Sequence, residues 1–178
     1  PHDLASGEQA PEATGLLRKL LAAQPDQSVS LVQVGFFTNF QRLLDAPADA
    51  HSPLTGKELI AKKVKVLSIM AGAFQPINWN TRHLEYNVIK DIPAAQKLAK
   101  EWPSRVLWSG YEVGIAAAYP YVSVERDYVY AQHHPMPEAY ALYSPKGHDR
   151  PTWDPTALLA AVYPDRGYFT LSPVGTVT

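Results

Sequence analysis

Two groups of residues carry side chains that could bind a sugar or a metal ion. The first is a run of amides around one carboxylate, made by Asn78, Asn80, Glu85 and Asn87. Amides and carboxylates together suit the hydroxyls of a sugar, although the same residue types are common in ordinary loops. The second is Trp153-Asp154, whose carboxylate could ligate a hard cation such as Ca²⁺ and whose indole could stack on a base. A helix-capping aspartate beside a core tryptophan would give the same pair.

Two further residues are candidates because of their position. Thr38 lies in the segment Gly35-Phe36-Phe37-Thr38-Asn39, between an apolar run and a helical pattern. There it could meet a ligand or cap the helix. His148 lies shortly before Asp154 and could donate a proton, although a loop histidine is more often exposed to solvent.

The elements predicted around these residues alternate between helices and strands. Residues 10–24 have the period of an amphipathic helix, with Arg18 and Lys19 pointing outward. The apolar stripe of this helix consists of Leu16, Leu17, Leu20 and Leu21. Strands are predicted at residues 29–34, 64–70 and 105–108, and further helices after residues 38, 55 and 91. In the last predicted helix, residues 153–162, one face carries Leu158, Leu159 and Val162.

This alternation predicts an α/β fold, a mainly parallel sheet flanked by helices, in a single domain over residues 1–178. Ligands of such sheets bind at the carboxyl ends of the strands. Residues 71–87 form a long loop at one of these ends, which favours a functional role. Residues 119–150 are rich in Tyr, His and Pro and are predicted to form a flap or helical excursion over the site.

Composition excludes several classes of protein. With 178 residues, 46% of them hydrophobic, the chain is long enough for one sizeable core. A formal net charge of -1 argues against a nucleic-acid groove or a polybasic membrane surface, and no apolar run has the length of a membrane span. The absence of cysteine excludes disulfides and thiolate chemistry. A small molecule is the expected partner, while the compartment and the choice between monomer and homo-oligomer stay open.

Four segments, taken in order, resemble motifs of one enzyme family. They are Val34-Gly35-Phe36-Phe37-Thr38-Asn39-Phe40, Ile69-Met70-Ala71-Gly72, Glu85-Tyr86-Asn87-Val88 and Asp91-Ile92-Pro93-Ala94-Ala95. Together they are similar to the inosine–uridine preferring nucleoside hydrolases, over nearly the whole chain. The resemblance implies a Rossmann-like fold, cleavage of the N-glycosidic bond of ribonucleosides, and a Ca²⁺ ion that holds the nucleophilic water and the ribose hydroxyls.

The resemblance also implies roles for individual residues. Thr38 resembles the position whose backbone carbonyl ligates calcium, and Asp154 resembles the aspartate ligand that opens a late helix. Substrate-binding roles fall on Met70, Glu85, Asn87 and one of Asn78 and Asn80. Both asparagines stay candidates, because the spacing from Asn80 to Glu85 is one residue shorter than the family's usual pattern.

The sequence departs from the family in two places. It lacks the motif Asp-x-Asp-x-x-x-Asp-Asp, which supplies the other calcium carboxylates and the general base. The chain is therefore expected to be a fragment, incomplete at both ends of the sheet and inactive alone. Trp153 stands where many members have a histidine that protonates the leaving base. This resembles the purine-preferring branch, where stacking on the base assists its departure, and His148 is the alternative acid.

Three functions are consistent with these residues and motifs. The first is N-glycosidase activity on purine nucleosides in the complete protein. The second is a non-catalytic nucleoside- or sugar-binding module that has lost the metal site. The third is a structural or partner-binding domain, which leaves the ordered motifs unexplained.

Overall fold

The computed structural model describes residues 5–144 and 147–177, and helices and strands alternate along them as predicted. The strands are β1 (Val29–Gln33), β2 (Val64–Met70), β3 (Arg105–Ser109), β4 (Ala118–Tyr119) and β5 (Arg150–Pro151). The helices are α1 (Ala13–Ala22), α2 (Thr38–Asp45), α3 (Gly56–Lys63), α4 (Tyr86–Ile89), α5 (Ile92–Glu101), α6 (Tyr111–Ala116), α7 (Tyr121–Arg126), α8 (Pro135–Tyr143) and α9 (Trp153–Val162), with a 3₁₀ turn at Gly7–Gln9. No helix in the described ranges is long and apolar enough to cross a bilayer.

The main sheet has three parallel strands in the order β1-β2-β3. Leu67 in the central strand lies beside Leu31 on one side and Val106 on the other. Because the strands are parallel, β1, β2 and β3 all end at the same edge, near Gln33, Met70 and Ser109. The predicted α/β class with a mainly parallel sheet flanked by helices is confirmed.

Helices cover both faces of this sheet. On one face Leu67 and Ile69 pack into the main hydrophobic core, to which α1, α2, α3 and α5 contribute. Side chains alternate along a strand, so Ser68 points to the opposite face, where α9 lies. The Ser68 hydroxyl donates to the carbonyl of Ala157 at 2.8 Å, and the hydroxyls of Ser109 and Thr156 are 2.6 Å apart. This contact fixes the first turns of α9 near the carboxyl end of β3.

Local signals in the sequence set several helix starts. Thr55 and Glu58 form the predicted capping box of α3, with the Glu58 carboxylate accepting from the Thr55 N–H at 2.8 Å. Asp91 caps α5 by accepting from the Ala94 N–H at 3.2 Å, and Pro93 occupies the first turn, where its missing N–H costs nothing.

The faces that α1 and α9 turn toward the core differ from the predicted ones. Arg18 was expected to point outward, but it is 2% exposed, because a carboxylate and two carbonyls from the loop before α3 surround its guanidinium. Leu20, in the predicted apolar stripe, is 52% exposed. In α9 the apolar face with Leu158 and Val162 is largely exposed, and Thr156 and Ala157 meet the sheet instead.

The segment 119–150 is a helical excursion from the sheet domain. It contains α7 and α8 and is closed at its base by β4 and β5, which pair antiparallel through Tyr119 and Arg150. Residues 145 and 146 lie outside the described part of the chain. The next helix after this closure is α9, so the excursion connects directly to the turn that carries Trp153 and Asp154.

Candidate functional site

Glu85 is the most constrained residue at the carboxyl edge of the sheet. Its side chain is buried, and its carboxylate accepts three backbone N–H groups, from Asn87 at 2.9 Å, Gly72 at 3.0 Å and Val88 at 3.2 Å. Two of these donors begin α4, and the third lies directly after β2. Glu85 therefore caps a helix and ties the loop after β2 back to the strand, which fixes the position of its carboxylate.

Asn87 and Met70, which are both predicted to bind substrate, lie in contact with each other. The Asn87 amide nitrogen donates to the Met70 carbonyl at 3.0 Å and lies 3.3 Å from the Met70 sulfur. Both residues are buried. Because the amide nitrogen faces the end of β2, the amide oxygen points the other way and is the atom that can accept from a ligand hydroxyl.

Asp154 lies in the first turn of α9 and is exposed to solvent. Its pKa is raised above the ordinary value, first because neighbouring atoms remove part of its hydration and second because of the negative charge of Glu85. The second cause shows that these two carboxylates, far apart in sequence, lie within electrostatic reach of each other. A pair of neighbouring negative charges attracts a cation.

Thr38 connects two helices and does not cap its own. It is the first residue of α2, whose cap position is Phe37. Its hydroxyl donates to the carboxylate of Asp91, the cap of α5. Its carbonyl enters the first helical turn, in which carbonyls point toward the N–H four residues ahead. The predicted capping role is wrong, and the predicted calcium contact stays a prediction.

Trp153 is packed into the fold by its neighbours. Its indole N–H donates to the Tyr111 carbonyl at 3.0 Å, and the two rings stack with centroids 5.1 Å apart. Gly114 lies so close that a Cβ there would be 2.2 Å from Trp153 Cδ1. The contact explains why α6 carries a glycine in its interior. The Arg150 guanidinium also lies over the Trp153 ring, 5.3 Å from its centroid. With Tyr111 stacked on one face and Arg150 over the ring, a base would have to stack beside this guanidinium.

Sequence reasoning missed two members of this aromatic group. The rings of Tyr111 and His83 lie 4.3 Å apart between centroids and are tilted by 37°, so His83, Tyr111 and Trp153 form a continuous row of rings. His83 lies in the same loop as the candidate asparagines, and this position could have identified it as a candidate from the sequence. Nothing in the spacing of Tyr111 pointed to Trp153, because the contact joins residues 42 positions apart.

The three remaining candidate residues are Asn78, Asn80 and His148, and the two asparagines lie at a turn. Asn78 and Trp79 form a two-residue hairpin turn with φ of 49° and 68°, closed by reciprocal backbone bonds between Ile77 and Asn80 of 3.0 and 2.9 Å. Both asparagines are exposed, and the Asn80 side chain accepts from the Arg82 N–H at 2.8 Å.

His148 packs among tyrosines of the excursion. Its ring stacks on Tyr140 at 5.7 Å and on Tyr121 at 6.4 Å between centroids. These contacts place the imidazole between rings from α8 and α7. Its predicted role as the acid for a leaving base stays a prediction.

The calcium expectation can be tested against the donors present. Ca²⁺ takes about six to eight oxygen ligands. Within residues 5–144 and 147–177, no three His, Cys, Asp or Glu side chains are grouped so that they could hold a metal ion. Asp154 and the Thr38 carbonyl are too few, and three N–H donors already occupy the Glu85 carboxylate. The described residues do not by themselves fit a calcium ion.

Comparison of this chain with models of protein families and with curated proteins finds no match. The likeness of its motifs to the nucleoside hydrolases therefore remains a prediction from the sequence, beside a fold of the Rossmann-like class.

Proposed function

We propose that this chain forms part of the active site of an enzyme that hydrolyses the N-glycosidic bond of ribonucleosides, with a preference for purines. The supporting observation is that Glu85 and Asp154 lie at the same carboxyl edge of a parallel sheet. Glu85 accepts from the Gly72 N–H after β2, and the contact between Ser109 and Thr156 holds the first turns of α9, which carry Asp154, at the end of β3. This is where α/β proteins bind ligands, and the two carboxylates come from the two segments that resemble the family's ribose and calcium motifs.

In the proposed reaction the bond between the anomeric carbon and the base nitrogen breaks, and its electron pair leaves with the base. A water oxygen bonds to the anomeric carbon, and a proton passes to the base. The chain's own contribution is to hold the ribose. Asn87 presents its amide oxygen to a sugar hydroxyl, and Glu85 keeps its carboxylate in one place through three N–H contacts. Such fixed groups contribute by orientation.

Trp153 and Asp154 have the remaining proposed roles. The indole offers a face for the base, and its contacts with Tyr111 and Gly114 hold that face still. Asp154 contributes a carboxylate toward a cation. Calcium would require further oxygen ligands from outside the described residues, so no step of the reaction is assigned to it here.

A second candidate function is a nucleoside- or sugar-binding module without catalysis. The observation in its favour is that Glu85 is buried and fully engaged with backbone N–H groups, which suits a positioning group better than an acid or base. Both functions use the same residues at the carboxyl edge of the sheet, so binding alone does not separate them.

The experiment is a measurement of inosine and guanosine hydrolysis, followed as release of free ribose with added calcium. It is made on this chain and on the same chain extended upstream in its reading frame. The proposal expects activity in the longer chain that chelator and Asp154→Asn each abolish. Retained inosine binding with no ribose release in either chain would establish the binding module. Absence of both binding and release would reject both candidates.

A further inference from the structure

A cavity of about 490 Å³ opens between α7 and α8, inside the helical excursion. Its size lies within the range of about 300–1,000 Å³ that small-molecule sites occupy. Two carboxylates line it, those of Glu125 and Glu138, and none of the described lining residues is Lys or Arg. Its walls include four rings, those of Tyr121, Tyr128, His134 and Tyr140.

His134 adds a ring to this wall without adding a positive charge. Its Nδ1 accepts the Met136 N–H at 3.2 Å, so Nδ1 carries no proton. Its Nε2 lies 3.0 Å from the Tyr130 hydroxyl and holds the remaining proton. The hydrogen bonds therefore select the neutral tautomer, with both nitrogens engaged.

Tyr128 is likewise held neutral. Its hydroxyl lies 2.9 Å from the Tyr119 hydroxyl, and this contact, together with burial, raises the pKa of Tyr128 to about 12. Its ring stands 4.5 Å from that of His134, between centroids. Among the described lining residues, only Glu125 and Glu138 therefore carry a charge, and Glu138 also lies 3.2 Å from Nδ1 of His133.

Aromatic faces attract cations, because the ring quadrupole is negative above the plane, and organic cations with little hydration gain most. Carboxylates at the rim strengthen this preference. The Arg150 guanidinium is held 4.3 Å over the Tyr143 ring and is not among the described residues that line the cavity. A ligand that combines apolar surface with a single positive charge fits this wall better than an anion or a neutral sugar.

We propose that the cavity between α7 and α8 binds an organic cation of the quaternary or alkylated ammonium class. The site is separate from the Glu85–Asp154 pair, and it does not depend on nucleoside hydrolysis. Tyr121, Tyr128 and Tyr140 supply aromatic rings to the wall, two of which also stack on His148, and Glu125 and Glu138 supply the compensating charge.

The test compares two probes of nearly equal shape on the whole chain. Choline carries a quaternary nitrogen, and 3,3-dimethylbutan-1-ol replaces that nitrogen with carbon. Binding is measured by calorimetry and by ligand-observed NMR. The proposal expects saturable choline binding and none of the neutral alcohol under the same conditions. Equal binding of both probes, or binding of neither, would overturn it.

Variants then assign the binding to this cavity. Tyr140→Leu is expected to weaken choline binding between about twofold and fivefold, while Tyr143→Leu, on the same helix but outside the wall, leaves it unchanged. Glu125→Gln is expected to weaken choline binding by up to about fivefold, whereas the exposed control Asp165→Asn is expected to leave it unchanged. Far-UV circular dichroism checks that each variant is folded. Equal effects of the cavity variants and their controls would reject this location.

Discussion

The Arg18 guanidinium binds the Asp49 carboxylate through two hydrogen bonds, from Nε to Oδ2 at 2.7 Å and from Nη2 to Oδ1 at 3.0 Å. The same Nη2 also donates to the carbonyls of Ser52 and Leu54. Arg18 thus fastens α1 to the loop that precedes α3. This ion pair is the main polar contact between the first helix and the rest of the fold described here.

Replacement of Arg18 by Met should lower the free energy of unfolding by about 2–3 kcal/mol, because it leaves two carbonyls without their donor and Asp49 without its positively charged partner. Urea unfolding followed by circular dichroism measures the loss. Lys19→Met is the matched control, since Lys19 is the exposed neighbour on the same helix, and it should change stability by less than about 0.5 kcal/mol. Equal losses in the two variants would contradict the assigned role.

The same pair predicts how stability depends on pH. Hydrogen bonding to Arg18 holds the pKa of Asp49 well below its usual range. A depressed pKa means that the carboxylate stabilises the folded state fully above the unfolded value of about 3.9, and that this stabilisation is lost as the pH falls toward the folded value. The stability difference between the wild type and Asp49→Asn should therefore narrow from about pH 6 to about pH 3. A difference that stays constant over this interval would refute the linkage.

Features set by neighbouring residues could be predicted from the sequence. The bounds of β2 and the capping box at Thr55 and Glu58 follow from a short apolar run and from a three-residue spacing. The burial of Arg18 could not, because its partner Asp49 lies 31 positions away, and a helical period cannot report such a contact. On pattern alone, an arginine belongs on the polar face.

In the candidate site, too, local features could be predicted from the sequence and contacts between distant residues could not. Glu85, Asn87 and Asp154 could be selected from their types and order, and the parallel sheet explains why they share one edge. Their contacts could not be foreseen. Glu85 accepts from Gly72, 13 positions earlier, and this contact gives it a structural role that its spacing to Asn87 does not indicate.

Gly114 and Gly15 both lie inside helices, yet alanine should have opposite effects at the two positions. At Gly114 the added Cβ would meet Trp153 at 2.2 Å, so Gly114→Ala should lower the free energy of unfolding by about 1–3 kcal/mol. At Gly15 the nearest atom, Glu12 Oε2, is 3.6 Å away, so Gly15→Ala should raise it by about 0.5–1 kcal/mol. Thermal and urea melts of the two variants provide the comparison. A neutral Gly114→Ala would mean that the contact with Trp153 relaxes freely.

The link between Glu85 and Asp154 can be tested without any assay of activity. Since the negative charge of Glu85 contributes to the raised pKa of Asp154, Glu85→Gln should move that pKa back toward the ordinary value. The pKa moves downward because a second negative charge no longer opposes the ionisation of Asp154. An NMR titration of the Asp154 carboxyl carbon measures it.

Glu112→Gln is the control, because it also removes one carboxylate from the loop region, where Glu112 accepts from the Phe74 N–H. Glu112 is not among the causes of the Asp154 shift, so this variant should leave the titration unchanged. Equal shifts in both variants would mean that Asp154 responds to overall charge and has no specific neighbour. The proposed site requires the specific response, because its ribose-binding Glu85 and its cation-facing Asp154 must lie beside each other at one edge of the sheet.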